Sequence, residues 1–354
     1  MTDRIFRGLL VLIVFFSLPL NYLNAQSKRP NIIYIMSDDH AYQAISAYGY
    51  GLNNTPNIDK LAANGVLFKR AFVTNSICGP SRAVMLTGKH SHINGFKDNH
   101  STFDGSQQTV AKILHDNGYT TAVIGKWHLI SDPQGFDYWN VVPGQGFYNN
   151  PDFIENGVHK RIEGYVTNIT TDFAINWLEK RDKSKPFFLM YQQKAPHRNW
   201  MPEEKYYHLF DSVNFPVPSN YFDDYSTRTR AAREQEMEIA THMKEVYDLK
   251  LEFNIPKEKQ VGLDATWQNI YDRLSTAEKK KWEAAYGPSN EAFRKANLSG
   301  KELAIWKYQH YMKDYLRCVQ SVDDNVGRLM EWLKANGLDK NTIIIYTSDQ
   351  GFYL

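Results

Sequence analysis

A set of short, continuously apolar runs, each followed by polar residues and separated by helix-period sequence, constrains this chain most. They are NIIYIM (Asn31 to Met36), TTAVIG (Thr120 to Gly125), PFFLMYQ (Pro186 to Gln192) and NTIIIYTS, which runs up to Asp349. Successive side chains of a strand point to opposite faces, so a continuous apolar run must be covered on both sides. The segments between the runs supply that cover. Thr55-Pro56 opens a helix whose Ile58, Leu61 and Ala62 face inward and which stops at Asn64-Gly65. Gln107 to Asn117 carries Val110, Ile113 and Leu114 and ends at Gly118. Asn168 to Lys180 carries Ile169, Phe173, Ile175, Trp177 and Leu178. Later, Tyr315, Val319, Val322, Val326, Leu329 and Leu333 recur at three- and four-residue steps in a long helix closing near Gly337. Strands alternating with helices imply an α/β fold with a mainly parallel central sheet and helices on both faces. The chain stops at Leu354, directly after a strand, so the sheet is expected to lack a C-terminal part.

The first residues, MTDRIFRGLLVLIVFFSLPLNYLNAQ, pair a basic start (Arg4, Arg7) with an apolar run from Gly8 to Leu20. Leu23-Asn24-Ala25 fits a cleavage site, so residues 1–25 read as a secretory signal peptide. The run is too short for a stable membrane span, which needs about 20 apolar residues. The protein is therefore expected to be secreted or periplasmic. A net charge of +2, without any dense basic run, argues against nucleic acid as a partner. The chain has two cysteines, Cys78 and Cys318. An exported chain could join them, yet Cys318 flanks the apolar face of the long helix and reads as a small core residue. Cys78 then has no partner. Residues from about 202 to 307 are crowded with charge and read as a solvated, helical insertion, with a substrate-shaping lid as the alternative.

Ligands in open α/β sheets bind beyond the carboxyl ends of the strands. Two such ends carry acids, Asp38-Asp39 and Asp349-Gln350. Either pair alone could cap a helix. If their strands are neighbours, three carboxylates and an amide oxygen converge into a hard, all-oxygen set suited to Ca²⁺ or Mg²⁺. Lys126 and His128 follow the second strand, and His197 follows the third. Cys78 and Arg82 lie in NSICGPSRAVMLTG, followed by Lys89, His90 and His92.

Cys78-Gly79-Pro80-Ser81-Arg82 with Leu86-Thr87-Gly88 resembles the signature of the formylglycine-dependent sulfatases, of alkaline-phosphatase-like fold. NIIYIMSDDH, TPNIDKLAANGVLF, GKWHL, APH and SDQG follow the same family in the same order, so the resemblance covers roughly Asn31 to Gly351. It implies that residues 26–354 form an incomplete N-terminal catalytic domain. It also implies that a maturation enzyme oxidises Cys78 to formylglycine, whose hydrate attacks the sulfur of a sulfate ester. Asp38, Asp39, Asp349, Gln350 and the matured Cys78 correspond to the calcium ligands. Arg82 corresponds to the residue steadying the nucleophile, Lys126 to the sulfate contact and His128 to the residue that helps eject sulfate. His197 matches the histidine that binds sulfate or protonates the leaving group. Lys89 carries over only loosely as a support for the formylglycine, and His90 not at all. Gln350 departs from the usual asparagine, and a second catalytic lysine expected after DQG is absent from this sequence. KAPHRNWMPEEKY is similar to bacterial sulfatases that degrade sulfated glycans, including glycosaminoglycans, and most of all to N-acetylglucosamine-6-sulfatases.

Three other readings remain at this stage. A phosphonate monoester or phosphodiester hydrolase would share the signature, because sulfate and phosphate esters share tetrahedral geometry. A cysteine hydrolase would use Cys78 with His128 or His197 and leave the oxygen set unexplained. An inactive glycan-binding fragment would hold a sulfated sugar without turnover.

Overall fold

Among the described residues seven strands make one sheet: β1 (Asn31–Ser37), β2 (Thr120–Lys126), β3 (Tyr138–Val142), β4 (Asp152–Glu155), β5 (Val158–Arg161), β6 (Phe187–Gln193) and β7 (Thr342–Ser348). The structure is a computed structural model that describes residues 29–251 and 255–354. The expected signal peptide at residues 1–25 lies outside the described residues. Spatial order is β5-β4-β3-β2-β6-β1-β7. The four long apolar runs became β1, β2, β6 and β7, and β2–β6, β6–β1 and β1–β7 pair in parallel. β3 joins parallel to β2, whereas β4 and β5 add an antiparallel hairpin at the far edge. The fold is therefore α/β with a mixed, mainly parallel sheet.

Alternation along the strands splits the core in two. Ile33, Ile35, Ala122, Ile124, Leu189 and Tyr191 point to one face. There they meet the helices Val166–Lys180 and Gly300–Ala335. Val123, Val141, Phe188 and Met190 point to the other, against the helices Cys78–Thr87 and Val110–Asp116. Each fully buried Leu, Ile or Phe contributes about 1.5–3 kcal/mol. The long helix also fixes the short one at Pro56–Ala63: Asp323 Oδ1 accepts from the backbone N–H of Asn57 (3.0 Å) and Ile58 (2.8 Å). A carboxylate there satisfies free N–H groups and complements the helix dipole. Cys318 is fully buried on the long helix, and both cysteines are free.

The charged segment differs from a purely solvated insertion. Phe215, Ile239, Met243, Val246, Leu249, Trp267, Trp282, Tyr286 and Phe293 are buried in the same core as the first sheet face. Trp282, Tyr286 and Phe293 recur at helical spacing in the Thr276–Ala296 helix, which starts in a Ser275–Glu278 capping box. Charges on its outer side mask an ordinary inward stripe. The expected boundary at Lys307 falls inside the 36-residue helix Gly300–Ala335, so that edge is continuous with the core. No described helix is long and apolar enough to cross a membrane.

Candidate active site

β1 and β7 are adjacent with Ser37 opposite Ser348, so Asp38-Asp39 and Asp349-Gln350 leave the sheet side by side. Asp39 N–H donates to Asp349 Oδ1 (3.0 Å), and Gln350 Nε2 donates to Asp39 Oδ1 (2.6 Å). Asp39 adopts a left-handed backbone, φ 60°. Tyr315 holds that turn: its hydroxyl donates to the Asp39 carbonyl (2.7 Å) and accepts from Ala41 N–H (2.8 Å). Candidate ligand oxygens of Asp38, Asp39 and Asp349 all lie within 4.8 Å of one another. Asp38 Oδ1 and Gln350 Oε1 are buried without a hydrogen-bond partner. Buried oxygens left unsatisfied among three buried carboxylates fit a hard divalent cation. Burial, and then the neighbouring Asp349, push the Asp39 carboxyl up to about 7. That crowding of negative charge is what a bound cation relieves.

Cys78 begins the Cys78–Thr87 helix and is almost wholly buried. Packing there is tight: a Cβ on Gly79 would lie 2.7 Å from Phe96 and 2.8 Å from Asn99 Oδ1. Asn99 Oδ1 in turn accepts from Gly79 N–H (3.1 Å). Gln350 Nε2 stands 3.8 Å from Cys78 Sγ. A His197 nitrogen, Cys78 Sγ and an Asp38 oxygen also fall within 4.8 Å of one another. Burial, then Asp349 and Asp39, push the Cys78 thiol up to about 11. The group is therefore a protonated thiol near neutral pH, opposite to what a cysteine hydrolase needs.

Arg82, one helical turn on, is the hub of the site. Its Nε and Nη2 donate to Asp349 Oδ2 (3.0 and 2.8 Å), and its Nη1 donates to the Lys126 carbonyl (2.7 Å) and Gln192 Oε1 (2.9 Å). Ser81 Oγ donates to the Asp349 carbonyl (2.6 Å). β2 delivers Lys126 through Gly125, where φ is +106° and a Cβ would lie 1.8 Å from the Gln192 carbonyl oxygen. Only glycine lets the strand end approach β6 so closely. Lys126 Nζ donates to Asp38 and to Gln145 Oε1 (2.5 Å). Burial holds its ammonium well below the usual lysine range, and the charge of Lys194 adds to that effect.

His128 sits in a left-handed turn (φ 57°), with Nδ1 buried and unpartnered. Burial, then the charges of Lys126 and Arg82, push it down to about 3. His197 follows β6, with Nε2 3.8 Å from Asp39 Oδ2. Its Nδ1 donates to the Arg198 carbonyl. Burial, then Lys126 and Lys194, hold it well below the usual histidine range. Arg198 is clamped by the buried Asp248, which ties the charged segment to this loop (2.6 and 2.5 Å).

Asp38, Asp39, Lys126, His197, Asp349 and Gln350, all singled out at strand ends, are thus joined by direct contacts, and the His128 carbonyl packs against Gly79 beside Cys78. Lys89, His90 and His92 are exposed, and among the described residues none hydrogen-bonds to the cluster. A cavity of about 810 Å³ lined by Tyr286, Trp306 and His310 shares no residue with the cluster.

The Sulfatase family model matches residues 30–354. The chain belongs to the sulfatase family. It is similar to the N-acetylglucosamine-6-O-sulfatase of Bacteroides thetaiotaomicron, 52% identical over 334 residues, covering 93% of this chain and 59% of that protein. It is also similar to a solved protein in complex with D-glucosamine-2-N,6-O-disulfate, described as its substrate, with a TM-score of 0.87 at 52% identity. That match covers 92% of this chain and 66% of the other. A phosphonate monoester hydrolase of Agrobacterium radiobacter has a TM-score of 0.56 at 20% identity over 91% of this chain and 63% of its own, which shows a shared fold alone. The chain thus spans about three-fifths of the length of the Bacteroides relative.

Three groups at this cluster escaped the sequence reading: the buried Gln192 and Lys194, and the exposed Gln145, which accepts from Lys126. Gln192 lies inside an apolar strand, and Gln145 comes from the loop after β3. Lys194 is the first residue after β6, so the strand-end rule that found His197 also applies to it. Burial lowers its ammonium to about 8, while Asp39 pulls it upward.

Proposed function

We propose that this chain carries the catalytic centre of a sulfuric ester hydrolase that removes the 6-O-sulfate of glucosamine or N-acetylglucosamine units in a sulfated glycan. The observation that carries this reading is the 52% identity to a protein whose structure holds D-glucosamine-2-N,6-O-disulfate. In this reading residues 1–25 export the protein to the periplasm or beyond, and residues 26–354 form the N-terminal catalytic domain, with an insertion at about 202–307. A maturation enzyme converts Cys78 to formylglycine.

The residues fit both groups this chemistry calls on. A calcium ion, with magnesium as the alternative, would supply positive charge against sulfate oxygens, and formylglycine would supply a hydroxyl nucleophile harder than a thiol. Asp38, Asp39, Asp349 and Gln350 would hold the ion, together with the matured residue 78. Arg82 fixes the Asp349 carboxylate through two hydrogen bonds and so sets the orientation of the cradle. Lys126 offers its ammonium to the sulfate oxygens, where negative charge persists throughout the reaction. His128 and His197 are both held as neutral imidazoles by burial and nearby cations. A sulfate anion entering beside them reverses the local charge balance and favours imidazolium. His197 then keeps Nδ1–H on the Arg198 carbonyl and gains Nε2–H, from which the departing sugar oxygen takes its proton.

Full-length protein made in a host that matures formylglycine is expected to release sulfate from 6-O-sulfated N-acetylglucosamine. Chelation is expected to lower the rate by about two orders of magnitude, since the ion supplies several kcal/mol, with recovery on adding Ca²⁺. Faster turnover of a matched phosphate diester would favour the phosphodiesterase reading. Binding of the sugar without sulfate release would favour the glycan-binding one.

A further inference from the structure

Charge pairing at the site singles out one group. Lys126 already has Asp38 and Gln145 as hydrogen-bond partners, and Arg82 has Asp349, Gln192 and the Lys126 carbonyl. Lys194 is only 3% exposed, yet among the described residues no carboxylate, carbonyl or hydroxyl accepts a hydrogen bond from its Nζ. Its polar head meets the ring face of Tyr148, 4.7 Å from the centroid. Tyr148 is itself fixed by a hydroxyl hydrogen bond to the His197 carbonyl (2.5 Å). The Lys194 carbonyl accepts from the His197 N–H (3.0 Å), and His197 Nε2 stands 3.8 Å from Asp39 Oδ2, so Lys194 leaves β6 on the loop that lines the cluster.

An ammonium almost wholly enclosed by protein yet without a protein acceptor is costly to hold charged, and a tyrosine face offsets only about 2 kcal/mol of that. Folding tolerates such a group when an anion completes it. We infer that Lys194 is a direct contact for the anionic group of the substrate, the sulfate whose removal is proposed above, and that it acts beside Lys126. The inference rests on that functional reading for the identity of the anion. The enclosed ammonium without a protein acceptor itself calls for an anion of either chemistry. Because Lys194 and His197 share one loop, and Tyr148 touches both, the contact also sets the histidine's position relative to the bound sulfate.

The test measures binding of inorganic sulfate, and separately phosphate, to the full-length protein by calorimetry, with Lys194→Met and Lys194→Arg compared to wild type. Lys194→Met is expected to weaken anion binding about ten- to a hundredfold, the value of one charge-assisted hydrogen bond. Its melting temperature is expected to stay equal or rise, because an enclosed charge without a protein partner becomes an apolar side chain. Lys194→Arg is expected to keep most of the affinity. Unchanged anion affinity in Lys194→Met, or a lowered melting temperature with unchanged affinity, overturns the inference and makes the lysine structural. A wild type that binds neither ion overturns it as well. Should the wild type take phosphate and not sulfate, the sulfate-ester reading fails alone, and loss of phosphate binding in Lys194→Met still supports the anion contact.

Discussion

Cys78→Ala in the full-length protein is expected to lower kcat/KM on a 6-O-sulfated glucosamine by about four orders of magnitude or more, as loss of a nucleophile does elsewhere. The side chain is small and buried at the start of a helix, so folding is expected to survive: circular dichroism and the melting temperature stay near wild type. The effect follows from position. Cys78 Sγ lies within 4.8 Å of an Asp38 oxygen and a His197 nitrogen and 3.8 Å from Gln350 Nε2, and Asp38 in turn belongs to the Asp38–Asp39–Asp349 cradle. An unmodified thiol there is a poor nucleophile, because burial and two carboxylates keep it protonated. More than a tenth of wild-type activity in a well-folded Cys78→Ala protein would contradict the assignment of residue 78 as the attacking position.

Asp314→Asn is expected to cost about 3–5 kcal/mol of stability, read as a lower denaturant midpoint. Asp314 is fully buried on the long helix and accepts from Lys250 Nζ (2.8 Å), Tyr286 Oη (2.7 Å) and Arg317 Nη1 (3.1 Å). Burial alone would raise its carboxyl, but Lys250, His310 and Arg317 together hold it below the usual carboxylate range. Asparagine keeps the shape and removes the charge, so the fully buried Lys250 ammonium loses its counterion. Pairing Asp314→Leu with Lys250→Met is expected to cost less than Asp314→Asn alone, since both charges leave together. An Asp314→Asn midpoint equal to wild type would contradict the view that the charged segment is pinned to the core by this pair.

That segment shows what sequence pattern hides. Its charge density is real, yet Trp282, Tyr286 and Phe293 already mark an inward helical stripe, visible only when charge is ignored and spacing is counted. The β4–β5 hairpin was readable from Asn156-Gly157, whose residues both take positive φ as a tight hairpin turn requires. It escaped because β5, VHKR, is charged and almost entirely exposed, with no apolar alternation. The parallel centre of the sheet was legible because strands buried on both faces cannot be written in polar residues. Most of the site was legible for a related reason. Chemistry at strand ends of an α/β sheet is confined to short segments, and Asp38, Asp39, Lys126, His128, His197, Asp349 and Gln350 all fall in them. Gln192 was not, since a glutamine at the end of an apolar strand carries no local sign that an arginine from a distant helix will meet it.

The most direct test of the account is the mass of the proteolytic peptide containing Cys78, taken from full-length protein made in its native host. The account predicts a mass with an aldehyde in place of the thiol at residue 78. An unmodified thiol in correctly exported protein would contradict it, because the position beside the carboxylate cradle would then lack the nucleophile that sulfate-ester hydrolysis requires.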